Sequence, residues 1–333
     1  MKILVLGGTA WLGHEIALAA VANGHDVTCL ARGTAVPDGA RLVRADRDQV
    51  DALAGVAAER WDAVIDVARQ PGHVRRATRD LGGSADHYVF VSTGNVYASQ
   101  AEIGADETAE LLPPFTADHF DSPDDYGPAK VACERAVLDA FGAERSLVAR
   151  VGLIGGPGDP SGRTTYWPWR FAHPAVDGAV LVPDSPELPV GVIDVRDLAA
   201  WLVLCAEQHT AGIANAMGVP LPLPDHLRAA RAAAESDAEP VPAPEDWLRE
   251  RHVVEWSGSR SLPVWLEDRS WYGMNARSTD RAIARGLRLR PLVETLRDGL
   301  QWRESTGEAW HGAGLTDTEE RQLLSELGQP PVG

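Results

Sequence analysis

Ile3-Leu4-Val5-Leu6-Gly7-Gly8-Thr9-Ala10-Trp11-Leu12-Gly13-His14-Glu15-Ile16 is the stretch whose reading decides the fold. Its four leading apolar residues are too short a run for a helix and suit a parallel strand buried on both faces. The glycines then call for a sharp turn, and beyond it Leu12, Ile16 and Ala19 recur at helical spacing. A glycine turn that runs straight into a helix makes an anion site. The backbone can approach a pyrophosphate closely, and the first-turn N–H groups and the positive end of the helix dipole face it. Working outward, Asn23-Gly24 ends the helix, because glycine takes the left-handed C-cap conformation without penalty. Val27-Thr28-Cys29-Leu30 supplies the next strand. Strand, turn, helix and strand within about 30 residues form one βαβ unit with a right-handed crossover.

Glycine alone is weak evidence, since many strand-to-helix turns use it for steric reasons and bind nothing. The spacing here is G-x-x-A-x-x-G, with Gly7, Ala10 and Gly13. The stretch resembles the short-chain dehydrogenase/reductase superfamily, in particular its extended, NAD-dependent epimerase/dehydratase-like members, whose turn commonly reads GGTGFLG. The resemblance implies that Gly7, Thr9, Ala10, Trp11, Leu12 and Gly13 hold the cofactor. Ala10 stands where the family has its central glycine, and its methyl group is expected to reshape or weaken cofactor binding rather than abolish it.

Composition bounds the rest. A chain of 333 residues with 44% hydrophobic content can bury the core of one large or two modest domains. The formal charge of −17 argues against nucleic-acid or anionic-membrane partners, which require a basic face. Cys29, Cys133 and Cys205 are far apart and show no C-x-x-C spacing, so neither a disulfide framework nor a metal site is expected. No apolar run approaches the roughly 20 residues that span a bilayer, and the first strand begins at Lys2 with no room for a signal peptide. The expectation is a cytoplasmic protein with a small-molecule substrate.

After the second strand comes Ala31-Arg32-Gly33-Thr34. An NAD-selective site would place an acid here for the ribose 2′-hydroxyl, whereas an arginine can hold a 2′-phosphate. Arg32 therefore favours NADP, with NAD the other candidate; a solvent-facing loop arginine is the alternative reading. Arg41 to Arg44 forms a third strand. In the family an acid at its end contacts the adenine, which implies a cofactor role for Asp46, with Arg47 beside it. Val50 to Ala58 has helical periodicity, and Ala63 to Ala68 is a fourth strand. The alternation predicts a Rossmann-type doubly wound parallel sheet. The resemblance brings Val67, Ala68 and Arg69 near the cofactor. Gly72 to Ser84 reads as a trimmed helix whose arginines are surface charges.

Tyr88 to Val91 is the fifth strand and delivers Ser92-Thr93-Gly94-Asn95-Val96-Tyr97 to the carboxyl edge, where ligands of such sheets bind. The segment resembles the family's VST…VY, which makes Thr93 the counterpart of the catalytic Ser/Thr, with Ser92 and Asn95 as substrate candidates. Nucleotide-sugar dehydratases have an Asp-Glu pair after VST; Gly94-Asn95 stands there instead, which argues against dehydration by that route. Ala101 to Asp124 is an acidic, Pro-containing stretch of the kind that forms a functional loop or lid. Pro123-Asp124-Asp125 then opens a helix through Phe141.

On that helix Tyr126 and Lys130 lie four apart and share a face. Such a pair alone is a commonplace of surface helices; after GGTAWLG and VSTGNVY it matches the family's Y-x-x-x-K. A phenol titrates too high for efficient proton exchange near neutrality, and a cation about 5 Å away favours its anion by roughly 3 kcal/mol at an effective dielectric near 20. The resemblance implies that Lys130 binds the nicotinamide ribose and poises Tyr126, Thr93 holds the substrate oxygen, and Tyr126 exchanges a proton with it. No Ser-His-Asp set, H-E-x-x-H helix or P-loop is present, so hydrolase and metal readings have no motif behind them.

Ser146 to Val151 is a sixth strand, after which the family builds its substrate pocket. Residues 1–160, with 191–214 returning, are expected to form the dinucleotide-binding domain. Residues 161–190 and 215–310 would form a smaller C-terminal substrate-binding domain, with Val219 to Pro244 an irregular link and 311–333 a terminal helix and tail. Tryptophans crowd at and beyond Trp167, and buried tryptophan is most often core. Trp167 and Trp169 are pocket candidates because Arg163-Thr164-Thr165-Tyr166 precedes them at the expected mouth, Arg163 gripping an anion or pairing with Asp159, and Tyr166 alongside. Thr316-x-x-Glu319 is a capping box before the last helix, which Gly328 ends, and the tail beyond it reads as disordered.

Three functions compete. An NADP-dependent ketone or aldehyde reductase is favoured by Arg32. A nucleotide-sugar epimerase or related sugar-modifying enzyme, which in this family cycles its own tightly held NAD, is the runner-up. A catalytically silent NADP-binding protein is the third, supported by Ala10 and the trimmed helix and opposed by the presence of Thr93, Tyr126 and Lys130. The family also implies a homodimer through the helices flanking Tyr126.

Overall fold

Apolar runs that are buried on both faces can satisfy their backbones only as strands of one covered sheet. In the computed structural model, which describes residues 1–307 and 313–328, these are β1 (Lys2–Leu6), β2 (Asp26–Ala31), β4 (Trp61–Asp66), β5 (Ala85–Thr93) and β6 (Ser146–Val151), while the more exposed β3 (Arg41–Arg44) and the strand Gly212–Ala216 close the two edges. All pair in parallel, in the order β3-β2-β1-β4-β5-β6 and then Gly212–Ala216. This is the expected Rossmann-type order, whose ligands bind beyond the carboxyl edge where the winding reverses between β1 and β4.

Helices α1 (Trp11–Ala22), α2 (Ala54–Ala57), α3 (Pro71–Leu81) and α4 (Tyr126–Phe141) supply the crossovers, with Val195–Glu207 a further one. The helix expected over Val50–Ala58 is only the single turn α2. One turn is enough to bury Leu53 and Val56 beneath Trp61, whose indole N–H donates to the Val56 carbonyl at 3.0 Å. The arginines of α3 are not idle surface charges: Arg75 holds the Asp118 carboxylate, and Arg76 donates to the Arg47 carbonyl.

The chain divides into two compact units, Met1–Gly152 with Val195–Met217 and Arg277–Arg288, and Leu153–Asp194 with Gly218–Ala276 and Leu289–Gly333. The first break therefore falls at Gly152, not at 160, and the last helix belongs to the second unit. Arg277–Arg288 is a return to the sheet unit that the sequence did not announce, because this short polar stretch has no strand or turn signature. It is fastened there by Asn215 Nδ2 donating to the Ser278 carbonyl and by the Trp201 indole donating to Arg285.

The second unit contains the helices Tyr166–Ala172, Leu223–Ala233, Leu292–Thr306 and Asp317–Leu327 around a core that includes Trp167, Phe171, Leu227, Leu262 and Trp265. The link expected over Val219–Pro244 is ordered: Leu223–Ala233 is a helix, and Glu239–Ala243 pairs in parallel with Ala179–Pro183. Its prolines fall at the helix start and along Glu239–Ala243, the largely exposed strand of that pair, where a missing N–H is tolerated. The Thr316–Glu319 capping box is formed on both sides, and Gly328 caps the helix end. The tail beyond Gly328 lies outside the described residues.

Candidate active site

The glycine turn is built as a cradle. Gly7 has φ +98°, a conformation glycine reaches freely, and a Cβ at Gly13 would lie 2.2 Å from the Gly7 carbonyl oxygen. The helix thus starts against the strand end, closer than any side chain would allow. Ala10 takes the N-cap position of α1 with no side-chain cap, and the first turn carries no acid. Its amide groups have no acceptor within the helix, so an anion at this end meets donors and a favourable dipole. Ala10 is exposed and lies among the residues that line the cleft beside the turn.

A cleft of about 710 Å³ opens beside this turn, lined from Gly7, Thr9 and Ala10 through Ala31-Arg32-Gly33, Ala45 and Arg47 to Val67-Ala68-Arg69-Gln70 and Phe120. The space, the uncapped helix end and the absence of an acid after β2 fit a dinucleotide. Asp46 is not among the lining residues; its carboxylate accepts the Asp48 amide at 3.1 Å in an Asx turn. Arg47 is buried and committed to protein, giving Asp66 two bonds of 2.6 and 2.9 Å and the His73 carbonyl a third. Its role is therefore to build the wall rather than to grip a ligand.

Asp66 organises the end of β4. Besides Arg47 it accepts the Tyr88 hydroxyl at 2.7 Å and the Ala68 amide at 2.9 Å. Burial pushes its carboxyl up, and the Arg47 guanidinium more than offsets this and holds it below the usual carboxylate range. The Ala68 peptide so fixed presents its carbonyl to Lys130, whose ammonium donates to Ala68 at 2.8 Å and to the Val91 carbonyl at 2.5 Å. Lys130 is 2% exposed, lies 4.2 Å from the Phe90 ring centre, and burial lowers it to about 8. Two of its three protons are taken by carbonyls, which leaves one donor for a ligand.

Thr93 ends β5 and caps the 3-10 turn Gly94–Val96, its Oγ accepting the Asn95 amide at 3.2 Å. That leaves the hydroxyl proton available to donate. Helix α4 starts hard against this turn: a Cβ at Gly127 would fall 2.4 Å from the Asn95 carbonyl oxygen. Tyr126 is thereby set next to the Thr93 turn, with Asn95 half-buried beside it. Two cleft-lining residues reach the phenol ring, Arg69 with its guanidinium carbon 5.2 Å from the ring centre and Phe120 at 6.2 Å between centroids. The cation over the phenol is thus Arg69, while the Lys130 ammonium sits under the strand ends.

Ser92 does not serve as a ligand-facing hydroxyl. Its side chain points from β5 to the opposite side and donates at 2.5 Å to buried Glu134, which Arg150 holds with two bonds. Successive strand side chains alternate in direction, so Ser92 and Thr93 could not both face the site.

Of the residues expected around a substrate mouth in the second unit, Tyr166 and Trp167 are core. Trp167 is fully buried, its indole donating to the Pro263 carbonyl at 2.8 Å, and Tyr166 is covered with it. Trp169 is half-buried, 3.9 Å from the His173 ring and 4.0 Å from the Arg303 guanidinium. Arg163 lies 4.9 Å over the Trp256 ring, and Asp159 bonds the Ser161 and Thr164 hydroxyls. Missed by the sequence were Gln70, His73, His119, Phe120 and Asp121, all of which line the cleft. Gln70 pins the long loop by bonding the Phe120 carbonyl and amide, each at 3.0 Å. A prolyl loop returning an aromatic residue was the available signal.

The parallel sheet, the glycine turn and the Y-x-x-x-K helix define a class. Residues 3–83 match the model of the NAD dependent epimerase/dehydratase family, and the sheet has the strand order of a Rossmann-type fold. Among curated proteins the chain is similar to a 3-diazoavenalumate denitrifying reductase from Streptomyces sp, 26% identical over 90% of this chain and 99% of that one. Among solved structures it is similar to UDP-glucose 4-epimerase of Thermus thermophilus in complex with NAD, with TM-score 0.65 and 21% identity over 91% of this chain and 99% of the other. UDP-glucuronic acid 4-epimerase from Bacillus cereus, also in complex with NAD, gives TM-score 0.64 at 13% identity over 92% and 100%. No helix among the described residues is long and apolar enough to cross a membrane.

Proposed function

We propose that the protein is an NADP-dependent reductase of a small carbonyl compound. The observation that carries this reading is Arg32: it stands exposed at the cleft where β2 ends, no acid occupies the ribose position, and among the described residues its guanidinium has no hydrogen bond or ion pair to protein. A guanidinium so placed suits a 2′-phosphate. That a relative matched along almost its whole length is named a reductase points the same way.

When bound, a reduced nicotinamide supplies the hydride. The chain's own residues handle binding and the proton. The first-turn amides of α1 receive the pyrophosphate, the Gly7 and Ala10 amides being held by the Leu30 and Gly7 carbonyls, and Lys130 offers its remaining N–H to a ribose hydroxyl. Thr93 donates to the substrate oxygen, and Tyr126 gives that oxygen its proton as the carbonyl becomes an alcohol, the phenolate being reprotonated from solvent.

Cofactor titration of wild type and Arg32→Gln tests the reading. NADPH should bind wild type about tenfold or more tightly than NADH, and the substitution should erase the difference, as loss of a charge-assisted bond predicts. Equal affinities in wild type would overturn it. A nucleotide-sugar epimerase is the second reading, favoured by the NAD-bound epimerases that share the fold; NAD that stays with the purified protein through gel filtration would select it.

A further inference from the structure

We infer that Arg69 is an anion-binding residue that selects a substrate bearing a carboxylate near its reducible carbonyl. The inference rests on the reductase reading above and adds a substrate class to it.

The cleft presents five cationic or ionisable basic side chains, Arg32, Arg47, Arg69, His73 and His119. Three are occupied by acids of the protein. Arg47 is clamped on Asp66, His73 bonds Asp48 at 2.7 Å, and His119 bonds Asp121 at 2.9 Å. The guanidiniums of Arg32 and Arg69 have no hydrogen bond or ion pair to protein among the described residues. In a chain of net charge −17 with acids plentiful on its surface, two cations left without a direct carboxylate partner in one cleft are the places where an incoming anion can pair without displacing one.

The two stand at different ends. Arg32 follows β2, where the adenosine ribose is read, and the Gly7–Gly13 turn between has its own backbone donors for the pyrophosphate. Arg69 follows Ala68, the residue whose carbonyl holds Lys130, and lies over the Tyr126 ring at 5.2 Å. The cofactor's anionic groups are thereby provided for elsewhere, so the anion that Arg69 meets is the substrate's. A guanidinium stacked on an aromatic face keeps its planar edge free, and that edge bonds a carboxylate with two parallel N–H donors. Its attachment one residue beyond the Lys130 peptide sets the grip beside the proton donor. An acid group held there orients the neighbouring carbonyl toward Tyr126 and Thr93.

The test uses the full-length protein loaded with NADP+ and three pairs of probes: pyruvate, levulinate and 4-carboxybenzaldehyde, each beside its methyl ester. Binding is read by calorimetry in wild type, Arg69→Gln and Arg69→Lys. At least one acid should bind wild type about tenfold or more tightly than its ester; Arg69→Gln should reduce that preference to about twofold or less, Arg69→Lys should keep part of it, and NADP+ affinity should stay within about twofold throughout. No preference for any acid in wild type, or a preference that survives Arg69→Gln, would overturn the inference while leaving the reductase reading standing. A loss of NADP+ affinity in Arg69→Gln would also overturn it, by assigning the guanidinium to the cofactor. Failure of wild type to bind NADP+ at all would instead remove the reductase reading, and this inference with it.

Discussion

Lys130 shows how much chemistry depends on where one side chain is buried. Its ordinary value lies near 10.4, and the structure brings it to about 8 because burial penalises the charged form. The folded value is depressed, so the ammonium is complete below about 8 and is lost as pH rises through it. If the charged form holds the cofactor ribose, turnover should fall as pH rises through about 8; a rate that stays flat to alkaline pH would show that Lys130 is not needed as a cation. For Tyr126 the expectation is a reduction of kcat by roughly 10² or more on changing to phenylalanine, with NADPH affinity unchanged, since the ring stays in place and only the proposed proton donor is removed. Kinetics and a cofactor titration on the same variant check both halves.

At the scale of elements, Gly127 is the joint between α4 and the turn that Thr93 caps. A methyl group there would meet the Asn95 carbonyl at 2.4 Å, so Gly127→Ala must push the helix away. Activity should drop by about tenfold or more, and stability by about 1–3 kcal/mol, in denaturant titration and steady-state assays. In the helix Leu223–Ala233, His226 is fully buried, and among the described residues neither ring nitrogen has a hydrogen-bond partner. Burial lowers it to about 4, below its ordinary 6.5, so the folded state resists the proton that the unfolded chain accepts. Stability should therefore fall as pH drops from about 6.5 toward 4, and His226→Leu should shallow that decline and stabilise the protein by about 1–2 kcal/mol, measured by thermal melts across that range. The elements that carry local signatures were legible in the sequence: β6 runs over the same Ser146–Val151 that its apolar pattern marked, and the glycine turn leads into α1 as read. What escaped depends on long-range pairing. Asp66 inside an apolar strand gave no hint that Arg47 would meet it, and Trp167 looked available until strands and helices distant in sequence closed over it. Direction along β5 decided between Ser92 and Thr93, and a one-residue shift of phase is what a motif alone resolves least well.

For the whole molecule, the two units share one chain that passes from one to the other at Gly152, Asp194, Met217, Ala276 and Arg288. Arg277–Arg288 supplies partners that the sheet unit cannot replace: the Arg277 guanidinium donates to Gln100 Oε1 at 2.9 Å and to the Ser99 carbonyl at 2.6 Å. Gln100 in turn donates to the Gly94 carbonyl at 3.1 Å, in the turn that Thr93 caps. A fragment ending at Met217 should accordingly fail to melt cooperatively and should lose NADPH binding, although it retains every residue proposed above to bind the cofactor. Calorimetry of that fragment beside the full chain gives the answer. The same weave sets a rule for recombination. Grafting the pocket of another enzyme onto this sheet by a single late splice would discard Arg277 and its neighbours along with the host's own C-terminal half. A chimera that keeps the Thr93 turn intact has to be sewn at each seam, with that twelve-residue ribbon retained from the host.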